Sequence, residues 1–318
     1  MLTRIAFAIV ACSTAVLAQT PQTTNGADVT GKFYPIEWNT IMVESTYRIQ
    51  APSTTPGKTT VGTGFVLGIP IDDGSKEPTQ SRPVLITAQH VFAETVGDTA
   101  LLDMRTYEGG VWTETQVPIR IRDRGRPLWA HHPIADVAIL DLIDRRVEAH
   151  LISPLVPTDW LAPDSLLKDY QIHPGDEVMC LGFPLDLSSQ FGFPILRMAR
   201  IASYPILPTA SSRPLYLDFP VYGGNSGGPA YLAESPGRGR MLGSALSHLS
   251  LIGLVIQKEY GSPTAQVAVN HGSGDSNEPN LADMHLAVLE PASAIIETIN
   301  LLPGIVKGHY STASQGHK

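Results

Sequence analysis

Gly224-Asn225-Ser226-Gly227-Gly228-Pro229-Ala230-Tyr231-Leu232 is the stretch on which the fold turns. Three glycines around one hydroxyl let the backbone bend tightly and aim successive N–H groups into one concavity, a nest that can hold an oxyanion. Taken alone, the hexapeptide 224–229 can also be a glycine-rich surface turn. Gly224-x-Ser226-x-Gly228 matches, too, the nucleophile elbow in which a serine sits on a strand-to-helix turn. That turn must open into a helix, whereas Pro229 and the β-prone Ala230-Tyr231-Leu232 follow here. The elbow fails on context, and the serine is read as lying just ahead of a β-strand.

Working outward, the chain breaks into short β-prone runs separated by turn residues. They cover 41–48, 60–67, 84–87, 111–121, 137–142, 177–183, 194–206, 215–219, 228–232, 251–257, 265–270 and 285–289. Most are rich in Val, Ile, Tyr and Phe. Stretches 70–83, 234–240 and 271–279 read as exposed loops. Helical signals are scarce, the best being 291–302, where Pro291 suits a first helical position and Ile295, Ile299 and Leu302 line one side. Pro303 ends it. Many short strands with few helices point to an all-β barrel or sandwich rather than a βαβ sheet.

Composition bounds the function. The 318 residues carry a formal charge of −8, with 43% hydrophobic and 16% charged residues, too apolar for a disordered chain. Gly 28 and Pro 26 suit an architecture with many turns. The mild acidity supplies no electrostatic footprint for nucleic acid or an anionic membrane surface.

Residues 1–18 read as an export signal, with a cation at Arg4, an apolar run from Ile5, and Val16-Leu17-Ala18 before Gln19. Cleavage is placed after Ala18. A rival, lipid attachment at Cys12 in Ile9-Val10-Ala11-Cys12, would leave an unusually short apolar core ahead of it. The mature chain is expected to be exported, periplasmic or secreted, with no membrane insertion after cleavage. Its one remaining thiol, Cys180, cannot form an internal disulfide and reads as a small core residue. Residues 19–40 are expected to be a mobile leader, 41–303 the folded unit with halves at about 41–150 and 170–290, and 304–318 a tail.

A serine hydroxyl is a weak nucleophile and needs an adjacent base. Leu85-Ile86-Thr87-Ala88-Gln89-His90-Val91 puts His90 just beyond a buried strand, and Pro133-Ile134-Ala135-Asp136-Val137-Ala138-Ile139-Leu140 puts Asp136 at the mouth of another. Asp141 lies an odd number along that strand and faces the opposite side. An imidazole of ordinary pKa, about 6.5, can take the serine proton, and Asp136 would orient it.

Thr87-Ala88-Gln89-His90, Asp136-Val137-Ala138-Ile139-Leu140 and Gly224-Asn225-Ser226-Gly227-Gly228-Pro229 together resemble the three motifs of chymotrypsin-like serine peptidases, in the same order and at similar spacing. Thr63-Gly64-Phe65-Val66-Leu67 is similar to the Gly-Ser/Thr-Gly-Phe strand of that family. Leu217-Asp218 resembles the Thr-Asp of bacterial HtrA-type members. The resemblance spans roughly 41–302. It implies two antiparallel six-stranded β-barrels with a C-terminal helix, and an active site in the cleft between them. It implies His90, Asp136 and Ser226 as the catalytic triad, and Gly224, Asn225 and Ser226 as the oxyanion hole. It implies Pro220 at the base of the primary substrate pocket, with Val255, Ile256 and Gln257 as walls. No aspartate stands at 220, so apolar or small substrate side chains are expected rather than Arg or Lys. The stretch after Pro303 is too short for a PDZ domain.

Departures carry information. Asn225 stands where animal digestive enzymes carry an aspartate that pairs with a new N-terminus, so zymogen activation of that kind is not expected. The disulfides of those enzymes are missing as well. Both features fit a bacterial exported branch. His131-His132 has no further ligand at helical spacing and reads as surface loop, so neither metal nor cofactor is implied. The function expected is a serine endopeptidase acting on a protein or peptide substrate. The alternative is a catalytically silent trypsin-fold binding protein. Oligomeric state is not encoded in any pattern here.

Overall fold

The computed structural model describes residues 38–71, 81–151, 155–232, 250–257 and 285–302. The expected signal 1–18, the first part of the expected leader, loop residues 72–80, the expected loops 234–240 and 271–279, the expected strand 265–270 and the tail 304–318 lie outside the described residues.

Two β-rich halves follow one another along the chain. The first is built from β1 (Thr46–Pro52), β2 (Thr59–Pro70), β3 (Ser81–Thr87), β4 (Thr99–Glu108) and β5 (Val111–Arg120). A two-residue pair, β6 (Arg122–Asp123) and β7 (Arg126–Pro127), comes next. It is followed by β8 (Ala130–His131), β9 (Ala138–Asp141) and β10 (Val156–Pro157). The second half is β11 (Glu177–Gly182), β12 (Ile195–Ile201), β13 (Leu215–Asp218), β14 (Gly228–Leu232), β15 (Ser250–Ile256) and β16 (Leu286–Pro291). Among the described residues the first half is an eight-stranded sheet in the order β5-β4-β1-β2-β3-β9-β8, with β10 added parallel to β2. Its path has two ends, where six strands in a closed ring were expected. The second half is a closed six-stranded barrel, β11-β12-β13-β16-β15-β14, with antiparallel pairing throughout.

Every residue of β15 is buried because the strand serves two cores at once. Ile252 and Val255 fill the barrel interior, while Leu251, Leu254 and Ile256 join the core of the first half. Side chains alternate along a strand, so a continuous apolar run is what a strand between two cores requires. A register shift opposite Ala230 and Tyr231 re-phases the alternation midway.

Short elements such as β6, β7, β8 and β10 were not expected, and three of the longer ones also differ from the sequence reading. Residues 38–44 form a short helix, Trp38–Glu44, within what was expected to be leader and then strand. Its Met42 is fully buried, Trp38 packs edge-on against Trp160 with ring centroids 4.9 Å apart, and Thr46 Oγ1 donates to Met42 O at 2.7 Å. Burying a side chain the size of Met42 contributes about 1.5–3 kcal/mol, enough to override the weak strand preference of Ile41 and Val43. Strand β4 was not expected at all, because Asp103 and Arg105 interrupt its apolar residues. Both charges are buried. Asp103 is bound by Arg48, Gln50 and Gln116, and Arg105 donates to the carbonyls of Glu44, Thr46 and Gly192 between the rings of Tyr47 and Phe193. The C-terminal helix is Ala292–Ile299, with Pro291 as its cap rather than its first residue. It touches β15 and β16 on one side and β8 and β9 on the other, and so lies across both halves. Among the described residues no helix is long and apolar enough to cross a membrane.

Candidate active site

β3 and β9 pair antiparallel, with Thr87 opposite Ala138. That register brings the residues just after β3 beside those just before β9. His90 stands in the first turn of the short helix Gln89–Ala93, and its Nδ1 lies 2.6 Å from Asp136 Oδ2. The backbone N–H of His90 donates to the other carboxylate oxygen at 3.0 Å. Burial pushes the Asp136 carboxyl upward. The hydrogen bond and charge of the His90 ring, with the N–H groups of His90 and Gln89, outweigh it and hold the group below the usual carboxylate range. An ionised Asp136 makes Nδ1 the donor of the pair and Nε2 the basic nitrogen of the ring. The competing carboxylates are engaged elsewhere, Asp141 with Arg82 and Asp144 with Arg146.

The turn that carries Asp136 is itself held. Asp136 N–H donates to Glu290 Oε1 at 3.2 Å. His132 Nδ1 accepts the N–H groups of Ile134 at 3.1 Å and Ala135 at 2.7 Å, while its Nε2 faces Glu297 Oε2 at 2.7 Å. His132 is 4% exposed, which corrects its reading as part of a surface loop. A ring nitrogen that accepts two backbone donors explains why a histidine is buried here.

Ser226 arrives from the second half, two residues ahead of β14. Gly227 has φ +89°, and a Cβ there would lie 2.0 Å from Thr63 O and 2.9 Å from Ala88 N. Only glycine lets the serine turn press this closely on the segment that leads into His90. Two hydrogen bonds of Thr63 stitch the two halves together at this point, its N–H to Ser226 O at 2.8 Å and its Oγ1 to Gly224 O at 2.6 Å. Within the first half Thr87 Oγ1 donates to Thr63 O at 2.7 Å, and within the second Gly227 N donates to Val255 O at 2.8 Å. Ser226 Oγ accepts the N–H of Gln257 at 3.0 Å, which leaves its own proton to donate.

Of the three residues expected to form the oxyanion hole, Asn225 is the exception. Its N–H is spent on Tyr222 O at 3.1 Å. Among the described residues, no acceptor takes the N–H of Gly224 or of Ser226. Gly224 has φ +92°, and a Cβ there would lie 2.1 Å from Phe183 O, so no other residue fits the turn. Gly223 O, on the other side of the same peptide, accepts the N–H of Leu185 at 2.7 Å. In a planar trans peptide the carbonyl and the following N–H point in opposite directions, so this bond aims Gly224 N–H away from Leu185.

The expected substrate walls divide. The Pro220 carbonyl takes Arg197 Nη1 at 2.5 Å, and the Arg197 guanidinium lies over the Phe219 and Tyr222 rings, 5.0 and 5.9 Å from their centroids. Val255 and Ile256 are buried, with the Ile256 side chain in the shared core, so Ile256 is not a pocket wall. Gln257 touches Ser226 through its backbone N–H. Cys180 is buried inside the barrel, and burial, against the pull of Arg197, pushes its thiol up to about 12. Among the described residues no group of three His, Cys, Asp or Glu side chains is arranged to hold a metal ion.

Sequence reasoning missed Glu290, the role of His132, and Leu185 beneath the Gly223–Gly224 peptide. Glu290 carried a legible signal, since an acid inside the apolar run Leu286–Pro291 calls for a buried partner.

No family model matches the sequence, and no curated protein matches it. Several solved structures are similar in chain path. The HtrA-type protease AlgW with a tripeptide shares 14% identity over 82% of this chain at a TM-score of 0.43. The chain spans only 60% of the length of that protein. The active form of a protease from M. tuberculosis shares 16% over 84% of this chain and 85% of its own, at 0.42. Protease Anisep from Arthrobacter nicotinovorans shares 12% over 82% and 96%, at 0.44.

Proposed function

We propose that this chain is an exported serine endopeptidase that cleaves peptide bonds through an acyl-enzyme on Ser226. One observation carries the reading. A histidine bound through Nδ1 to a half-buried carboxylate stands two residues beyond Ala88, against which the serine turn packs, and two N–H donors of that turn, those of Gly224 and Ser226, have no acceptor among the described residues. In this reading Ser226 Oγ attacks the scissile carbonyl carbon while His90 Nε2 takes its proton. The carbonyl oxygen gains negative charge and is met by the N–H groups of Gly224 and Ser226. The C–N bond then breaks as His90 returns the proton to the leaving amine. Water, deprotonated by His90, attacks the acyl carbon, and Ser226 is released with its proton restored. Asp136 stays ionised throughout and stabilises the imidazolium.

Protease chemistry of this kind is supported by the motif order His, Asp, Ser and by the stitched contact between the two halves. The test is labelling with a fluorophosphonate. Wild-type protein should be labelled and Ser226→Ala should not, with turnover falling by roughly 10⁶. Processing after Ala18 would give the labelled protein recovered from outside the cytoplasm an N-terminus at Gln19. A folded wild type that takes no label would point instead to a silent binding protein.

A further inference from the structure

We infer that Arg48, in the first half, is a positioning residue that holds the oxyanion hole of the second half open, an assignment that rests on the peptidase reading above. Arg48 lies on β1, and its guanidinium reaches across the seam to the turn that follows β11. Nη1 donates to the backbone oxygen of Asp186 at 3.2 Å and to its Oδ1 at 2.9 Å. Nη2 pairs with Glu114 Oε1 at 3.3 Å, Nε binds the buried Asp103, and the cation stands 5.8 Å from the centroid of the Phe183 ring. Asp103 is bound in turn by the side-chain amides of Gln50 and Gln116. One end of the guanidinium is thereby anchored in the first sheet, and the other grips Asp186.

The turn that it grips is uphill for its own residues. Leu185 has φ 54° and Asp186 φ 64°, both in the left-handed region that L side chains avoid. Such a conformation persists only where the surroundings over-determine it. Leu185 is also the residue whose N–H holds Gly223 O at 2.7 Å. That bond aims the Gly224 N–H, as the planar peptide requires. The chain of cause runs from Arg48 to Asp186, to the left-handed turn, to Leu185 N–H, to the Gly223–Gly224 peptide, and so to one donor of the oxyanion hole. If Arg48 lets go, the turn relaxes and that peptide is free to rotate its N–H out of the site.

Asp186 is 56% exposed, so its pairing with Arg48 adds little to global stability, and its loss should be felt in geometry. The experiment compares wild type, Arg48→Lys and Asp186→Ala. Fluorophosphonate labelling of the wild type serves as control. The readouts are kcat and KM on a fluorogenic peptide, and affinity for a peptide aldehyde, whose hemiacetal oxygen needs the same donors. Removing one oxyanion donor outright costs about 10²–10³ in kcat, so a loosened donor should cost about 10-fold or more. Both variants are expected to show that fall with KM within about two-fold, a matching loss of aldehyde affinity, and, for Asp186→Ala, an unchanged melting temperature. Asp186→Ala keeps the inference testable should Arg48→Lys fail to fold. Wild-type kcat and aldehyde affinity in Asp186→Ala, or a raised KM at unchanged kcat, would overturn the role of Arg48 while leaving the peptidase reading intact. An unlabelled wild type would overturn both.

Discussion

Asp136 binds His90 twice, through the ring and through the backbone N–H, and its two roles can be separated by pH. Asp136→Asn keeps the shape of the pair but presents an amide to Nδ1, which favours the wrong imidazole tautomer. Turnover should fall on the order of 10⁴ with little change in KM, measured by steady-state kinetics near neutral pH. The stability consequence has a definite sign. The folded-state pKa of Asp136 lies below its unfolded value, so ionisation stabilises the fold above about pH 4. That contribution is lost as pH falls through the lower folded-state value. The melting-temperature gap between wild type and Asp136→Asn should therefore be widest near neutral pH and close progressively below about pH 4. A gap independent of pH would mean that the carboxylate is not what His90 holds.

The turn before β9 and the C-terminal helix act together as one element-scale device. His132 accepts the Ile134 and Ala135 donors inside the turn and reaches Glu297 on the helix, while Glu290, at the end of β16, takes the Asp136 N–H. Replacing His132 by Leu leaves two backbone donors without their acceptor in a buried place. His132→Leu should cost about 2 kcal/mol or more in a denaturant melt and lower activity as Asp136 loses its fixed position. Glu297→Ala, which removes only an exposed partner, should cost less than about 1 kcal/mol in the same melt. The same scale shows where reading a sequence for elements runs out. Strands such as Gly228–Leu232 were legible because the apolar run Ala230-Tyr231-Leu232, with an aromatic residue at its centre, follows a glycine-rich turn. β4 was not, since Asp103 and Arg105 look like surface residues until their partners from β1, β5, the end of the helix Trp38–Glu44 and the turn at Gly192 are in place. The helix Trp38–Glu44 was hidden for the converse reason: its residues suit a strand, and only the burial of Met42 selects the helix.

At the scale of the whole molecule, the two halves share a core. Leu181, Tyr231, Leu251, Leu254, Ile256 and Val288 of the second half pack in one cluster with Phe65, Leu85, Ile139 and their neighbours in the first, and the C-terminal helix closes it with Ile295 and Ile299. An interface this apolar resembles a domain interior more than a contact between independent domains. Heat or denaturant should therefore unfold both halves in one transition, with tryptophan fluorescence, which reports Trp38, Trp112, Trp129 and Trp160 of the first half and the region beside it, coinciding with loss of fluorophosphonate labelling at Ser226. Two separated transitions would show that the halves are energetically independent and that the site is assembled by docking.

Residue types and their spacing determined the all-β character, the order of His90, Asp136 and Ser226 along the chain, and the glycines around the serine. These are local requirements, and only certain side chains meet them: a hydroxyl between φ-permissive residues, an imidazole beyond a buried strand, a carboxylate at the mouth of the next. Tertiary structure alone decided the open path of the first sheet, the burial of Asp103, Arg105 and His132, and the grip of Arg48 on Asp186. It also decided which N–H groups of Gly224-Asn225-Ser226 are left without an acceptor among the described residues. Those outcomes depend on donors and acceptors, many of them backbone groups that every residue possesses, brought together from segments as far as 165 positions apart. No pattern of residue identities distinguishes a backbone group that will find a partner from one that will not, and the chain has to fold before that pairing exists.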